Sequence, residues 1–388
     1  MTFTGLHYET HQPIAVKIEG ETIVSVTPTR EPVGDCFLIP GLFDIQVNGY
    51  AGADFNLGAW GGAGEVRFDP QAIVARLAEA GVTRLCPTVT TNSREAMRDA
   101  LALLAQLFAE EAGLEEAIPG FHVEGPFISP DDGPRGAHPK EHVRLPDWDV
   151  FRALQDAACG RVRIVTLAPE LPGALSFLEK LVETGVVGAI GHSAAEPDVI
   201  RDAVSAGATL STHLGNGARA TLPRHPNFLW EQLAEDRLSA SVIADGHHLP
   251  ASTLKVFVRA KTPARIVLTS DAVSLGGLAP GTYAGGRYAI ESSGRVVTAG
   301  TPYLAGAGFL LDTGIAFAAR NTDLGWAGAV RCASENPARL LGLSAGLTVG
   351  SRADLAQVRF GESGPLEVLK TVRAGKVIFE KPGERAYI

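Results

Sequence analysis

The sequence predicts an α/β fold: a distorted (β/α)8 TIM barrel carrying a small β-sandwich domain formed from both termini. Three observations support this. Eight apolar runs between residues 42 and 271 each end in a polar residue, helical patterns fill most of the gaps between them, and both chain ends consist of short alternating segments. Strands alternating with helices imply parallel pairing through right-handed crossovers. All strand C-termini then open on one face, where barrels of this kind keep their chemistry.

The runs are LFDIQ ending near Gln46, TRLCPT near Thr88, GFHVE at Glu124 and RIVTLAPE near Glu170. They continue with VVGAIGH at His192, ATLSTH at His213, ASVIAD at Asp245 and RIVLTSD at Asp271. Apolar residues at helical spacing mark 70–81, 94–113, 175–185 and 196–207, and Gly81, Gly113, Gly185 and Gly207 stand where a helix end favours a left-handed residue. Residues 283–304, rich in glycine and polar groups, predict a hairpin insertion after the eighth strand. The alternating segments place residues 1–40 and 346–388 in one small β domain, and residues 41–345 in the barrel.

At 388 residues and 45% hydrophobic content, the chain can bury one large core with an appendage. A net charge of −9 without any Lys/Arg run excludes a nucleic-acid or anionic-membrane surface, since neither polyanion would be attracted. Cys36, Cys86, Cys159 and Cys332 lie far apart with no C-x-x-C pair, which predicts buried, reduced thiols rather than a zinc ribbon or a disulfide framework. The first 20 residues lack a basic segment followed by an apolar one, and no 18-residue apolar stretch occurs, so a cytoplasmic protein is expected.

Glu124, His192 and His213 each close an apolar run, so the barrel should gather them at its mouth. Any one alone is more often a solvated or capping group. Together, one carboxylate and two imidazoles form a common catalytic zinc set that leaves a position open for water. Asp271, closing the last run, is the natural acceptor for a proton from metal-activated water, although an SDA segment alone would suggest a helix cap. His138 lies on the loop after the third run, where a donor could reach an oxygen gaining negative charge. Asn216, Gly217, Arg224 and His248 offer donors suited to sugar hydroxyls or phosphate, with ordinary loop polarity almost as good an account. Either His247 or His248 can face a ligand, but hardly both. His122, two residues before Glu124, could belong to the core or support the site, and His7, His11, His142 and His225 are read as surface residues.

The segments PGLFDIQVNG, HVEGPFISP, GAHPKE, TLAPE, GHSAAEPD, THLGNGA, IADGHHL and TSDA, in order along nearly the whole chain, resemble the N-acetylglucosamine-6-phosphate deacetylase family of the amidohydrolase superfamily. The resemblance implies metal ligands Glu124, His192 and His213, a catalytic carboxylate at Asp271 and a carbonyl-polarising histidine at His138. Where many amidohydrolases carry H-x-H for a second metal, this chain has Gln46-Val47-Asn48, which implies one divalent metal per chain, zinc. Family substrate contacts fall on Asn216, Gly217, His248 and Arg224, the last reaching the phosphate of a neighbouring subunit and so implying a homodimer. The implied reaction converts N-acetylglucosamine 6-phosphate into glucosamine 6-phosphate and acetate, with a small amino sugar as the only partner besides a second copy.

The chain departs from the family at two places. The usual aromatic-Asn-Ala-Met after T-H-L is Gly215-Asn216-Gly217-Ala218, and the usual L-A-G-S is Leu304-Ala305-Gly306-Ala307. These changes should loosen the sugar pocket, which keeps open an amidohydrolase acting on an unphosphorylated or different N-acyl amino sugar, or on an N-acyl amino acid. A barrel that has lost catalysis and serves as an assembly protein is disfavoured, because Glu124, His192, His213 and Asp271 are all retained.

Overall fold

The computed structural model describes residues 1–58, 66–301 and 303–383. Strands β1 (Thr2–His7), β2 (Pro13–Glu19), β3 (Thr22–Pro28) and β4 (Phe37–Pro40) open the chain. β5 (Leu42–Val47) enters the barrel, followed by a small patch of β6 (Gly49–Tyr50), β7 (Ala53–Asp54) and β8 (Arg67–Phe68). From there helices and strands alternate: α1 (Pro70–Glu79), β9 (Val82–Thr90), α2 (Arg94–Glu110), α3 (Ala112–Ala117), β10 (Phe121–Glu124), α4 (Trp148–Ala157), β11 (Val162–Leu167) and α5 (Ala174–Glu183). They continue as β12 (Val187–Ile190), α6 (Pro197–Ser205), β13 (Leu210–Ser211), α7 (Phe228–Ala234), β14 (Ser239–Ile243), α8 (Ala251–Lys261) and β15 (Ile266–Thr269).

All eight expected barrel strands are present. Seven pairings run in parallel from β5 through β9 to β15 in sequence order. A parallel bridge between Val47 and Ala272 closes the ring, with Asp271 N donating to Gln46 O at 3.0 Å. Four of the described helices, α1, α2, α4 and α7, start on side-chain caps: Asp69 accepts from Ala72 N, Ser93 from Ala96 N, and Asp147 and Asn227 each from two amides. Gly81, Gly185 and Gly207 end their helices at positive φ, as expected. Gly113 does not: the chain breaks at the extended Glu111, restarts as α3 with Gly113 inside it, and so turns Leu114 and Ala117 into the core.

Inside the barrel the side chains change character along its axis. Phe43, Ile45, Cys86, Ile164, Ala189, Leu210 and Val267 form an apolar cluster closed from outside by Ala338 and Leu341. Nearer the strand C-termini lies a chain of hydroxyls and one imidazole. Thr212 Oγ1 is 2.7 Å from Thr166 Oγ1, which is 2.7 Å from His122 Nε2, while His122 Nδ1 donates to Ile45 O at 3.2 Å. His122 is therefore a satisfied core residue beneath the mouth.

After β15 the insertion has three antiparallel strands rather than a plain hairpin: β16 (Gly281–Tyr283), β17 (Tyr288–Ile290) and β18 (Val296–Thr298). Gly285 and Gly286, both at positive φ, turn the chain so that β16 pairs with β17. Helices α9 (Leu311–Asn321), α10 (Gly325–Cys332) and α11 (Glu335–Leu340) precede β19 (Leu355–Arg359), β20 (Glu367–Arg373) and β21 (Lys376–Glu380). Both termini contribute to one seven-stranded sheet in the order β21-β20-β19-β4-β1-β2-β3. Arg84 of the barrel meets Asp354 beside β19 at 3.4 Å, both buried, and ties the two parts together. Cys36, Cys86 and Cys332 are buried, as expected. Cys159 is exposed instead, because it sits in the left-handed turn (φ 51°) that follows α4. No described helix is long and apolar enough to cross a membrane.

Candidate metal centre and active site

The strand ends deliver Glu124, His192 and His213 to one point. Glu124 Oε1 lies 3.2 Å from His192 Nε2 and 2.9 Å from His213 Nε2, and the two ring nitrogens are 3.1 Å apart. Among the described residues this is the group whose ligand atoms could hold a metal. His192 Nδ1 donates to the Pro134 carbonyl at 2.9 Å, so in the neutral ring Nε2 carries a lone pair aimed at the other two. Three such acceptors converge only around a proton or a cation. Ligand bonds of about 2.0–2.2 Å to a tetrahedral zinc separate neighbouring ligand atoms by about 3.3 Å, close to the spacings here, so the residues fit a divalent metal.

The backbone supports this aim at a cost. His192 (φ 49°), His213 (φ 30°) and Asp271 (φ 52°) all adopt the left-handed conformation that a side chain disfavours. Glu124 is followed by Gly125 at φ 82°. The Glu170 carboxylate accepts from Ser193 Oγ (2.7 Å) and Ala194 N (2.5 Å), holding the turn beyond His192.

Gln46 and Asn48 join the site as donors. Gln46 Nε2 donates to Glu124 Oε1 (2.8 Å) and to Asp271 Oδ1 (3.1 Å), and Asn48 Nδ2 donates to Asp271 Oδ1 at 2.8 Å. Burial, and then the Glu124 charge, push the Asp271 carboxyl up to about 6, against the opposing pull of His213, His248 and the Asn48 amide. Burial would likewise raise Glu124, but its hydrogen bonds and ion pairing with His192 and His213 hold it well below the usual carboxylate range. Burial lowers His213, yet the Glu124 hydrogen bond and charge leave it above the ordinary imidazole value.

His138 reaches the same mouth. Its ring packs edge-on against His192 with centroids 4.3 Å apart, and its Nδ1 lies 2.8 Å from Thr91 Oγ1. Burial, and then the neighbouring His192, push it down to about 3.

The loop after β13 lies directly on the ligands. Asn216 N donates to His213 O at 3.0 Å, and a Cβ on Gly217 would stand 2.9 Å from His192 Nδ1. His248 and His247 separate clearly: Asp245 Oδ2 accepts from His248 Nδ1 at 2.7 Å, whereas His247 stacks on Phe309 at 5.3 Å. Arg224 stands exposed on the same loop as Asn216. Beside Gly215 the space is occupied from across the loop, because a Cβ there would meet Leu249 and Phe257 at 3.1–3.2 Å. Ala307 is buried, and its amide donates to Asp271 O at 3.0 Å. Asp245, Thr91 and the Pro134 carbonyl act at the site without having been expected there. Asp245 was visible only as a strand end, and a lone threonine or carbonyl gives no sequence signal.

The model of the Amidohydrolase family matches residues 37–378. The N-acetylglucosamine-6-phosphate deacetylase of Bacillus subtilis (strain 168) is 32% identical over 351 residues, covering 89% of this chain and 85% of that protein. The Bos taurus protein of the same name is 34% identical, covering 92% and 86%. Among solved structures, the N-acetyl-D-glucosamine-6-phosphate deacetylase of Mycobacterium smegmatis, a mutant in complex with N-acetyl-D-glucosamine-6-phosphate, superposes with a TM-score of 0.85 at 30% identity, covering 97% of this chain and 99% of that one.

Proposed function

The chain belongs to the amidohydrolase family and, within it, to the N-acetylglucosamine-6-phosphate deacetylases, and from that premise we propose that it hydrolyses N-acetylglucosamine 6-phosphate to glucosamine 6-phosphate and acetate with one zinc per chain. The observation that carries this reading is the convergence of Glu124, His192 and His213, with Asp271 joined to them through the Gln46 amide.

A divalent ion held by Glu124, His192 and His213 would acidify a water and polarise the acyl oxygen. Asp271 accepts the proton of the attacking water as its oxygen bonds to the acyl carbon, and later returns that proton to the nitrogen as the C–N bond breaks. Gln46 and Asn48 hold the Asp271 carboxylate in place for both transfers. His138 donates to the acyl oxygen as negative charge gathers there. Asn216, Gly217 and His248 border the place left for the sugar, with Asp245 fixing the His248 ring. Arg224 stands exposed, as a group that serves the phosphate in a neighbouring subunit must, so a homodimer is part of the proposal, as is a cytoplasmic setting.

Acetate release tests this reading, comparing kcat/KM for N-acetylglucosamine 6-phosphate with that for N-acetylglucosamine on zinc-loaded protein. A large preference for the phosphorylated sugar is expected. Turnover of the free sugar alone, or of neither, would reassign the substrate to another N-acyl sugar or an N-acyl amino acid.

A further inference from the structure

We propose that Thr91 is a positioning residue that fixes the tautomer of His138, so that Nε2 of that ring carries the proton offered to the acyl oxygen. A neutral imidazole donates through one nitrogen and accepts through the other. To stabilise a developing negative oxygen, the nitrogen facing it must donate. His138 Nδ1 already faces Thr91 Oγ1 at 2.8 Å, which leaves Nε2 to face the substrate. Nε2 is protonated only if Nδ1 accepts, and that requires the Thr91 O–H to point into the ring.

The surroundings favour that orientation. The other acceptor near the hydroxyl is the Glu124 carbonyl at 3.4 Å, a longer and weaker partner than Nδ1. Thr91 is buried directly after β9, and a Cβ on Gly125 would lie only 2.1 Å from its Oγ1. The missing side chain at 125 therefore creates the space that the hydroxyl occupies. The ring is held independently by its packing on His192, and its backbone by Arg135 Nη1 donating to His138 O at 2.6 Å. What remains for Thr91 to decide is the position of a proton.

The role of that proton rests on the deacetylase reading; its location does not. Thr91→Val preserves the shape and removes the donor, whereas Thr91→Ser keeps the hydroxyl. In metal-loaded protein, Thr91→Val should lower kcat for acetate release about 10- to 100-fold, somewhat less than the loss of a whole oxyanion donor, with KM and metal content unchanged. Thr91→Ser should restore most of the rate. Nitrogen NMR of 15N-histidine-labelled, metal-loaded wild-type protein should show His138 protonated on Nε2 alone. A proton on Nδ1, protons on both nitrogens, or a Thr91→Val enzyme with wild-type kcat would overturn the proposal. If the wild-type protein releases no acetate, the function reading falls, and the spectrum still decides the tautomer.

Discussion

The two ends of the barrel make opposite demands on the same eight strands. Toward the strand N-termini the interior is apolar, with Phe43, Ile45, Cys86, Ile164 and Val267 packed beneath Ala338 and Leu341. At the mouth, a buried carboxylate pair and two imidazoles crowd together, and three of the residues involved sit at positive φ. Each such strained residue costs on the order of 1–3 kcal/mol and persists only where surrounding structure enforces it. The difference teaches that the apolar end stabilises a mouth that would not hold its shape alone, which is the division of labour expected of a barrel enzyme.

Replacing a mouth residue should separate activity from stability most sharply. Asp271→Asn should lower kcat by about 10²–10⁴-fold, the range for losing a general acid–base. It should not lower the Tm of the metal-free protein, since it removes a buried charge beside Glu124. A parallel fall in Tm and kcat would break the comparison.

At the opposite end, Phe43→Ala should cost about 3–5 kcal/mol in denaturant unfolding while leaving kcat of the folded enzyme unchanged. Loss of kcat without loss of stability would place Phe43 in the wrong class.

The contrast is sharpened further through pH. Burial pushes the Asp54 carboxyl up to about 7 from an ordinary 3.8. Between these values the folded protein keeps a proton that the unfolded chain has released, so stability falls as pH rises through that window. Asp54→Asn should flatten this part of the curve of unfolding free energy against pH. An unchanged slope would show that Asp54 is already ionised in the fold.

Much of this was legible in the sequence, because apolar runs ending in polar residues record both the strands and the mouth. Even β13, only two residues long, was visible in ATLSTH as a run closed by His213. Gln46 and Asn48 were visible only as poor metal ligands. Their amide donation to Glu124 and Asp271 is a tertiary contact across the barrel, which strand periodicity does not encode. Gly113 misled for a related reason: a glycine at the end of a helical pattern marks a cap only if the helix stops there, and here a second helix starts. The filling of the space at Gly215 by Phe257 was invisible for the same reason, as the two positions are distant in the chain.

Metal content tests the central claim most directly. Elemental analysis of the purified, dialysed protein should find about one divalent ion per chain, and the Glu124→Ala variant should retain essentially none. Two tightly held ions per chain, or an undiminished ion in Glu124→Ala, would contradict a single centre built from Glu124, His192 and His213 with Gln46 and Asn48 serving only as donors.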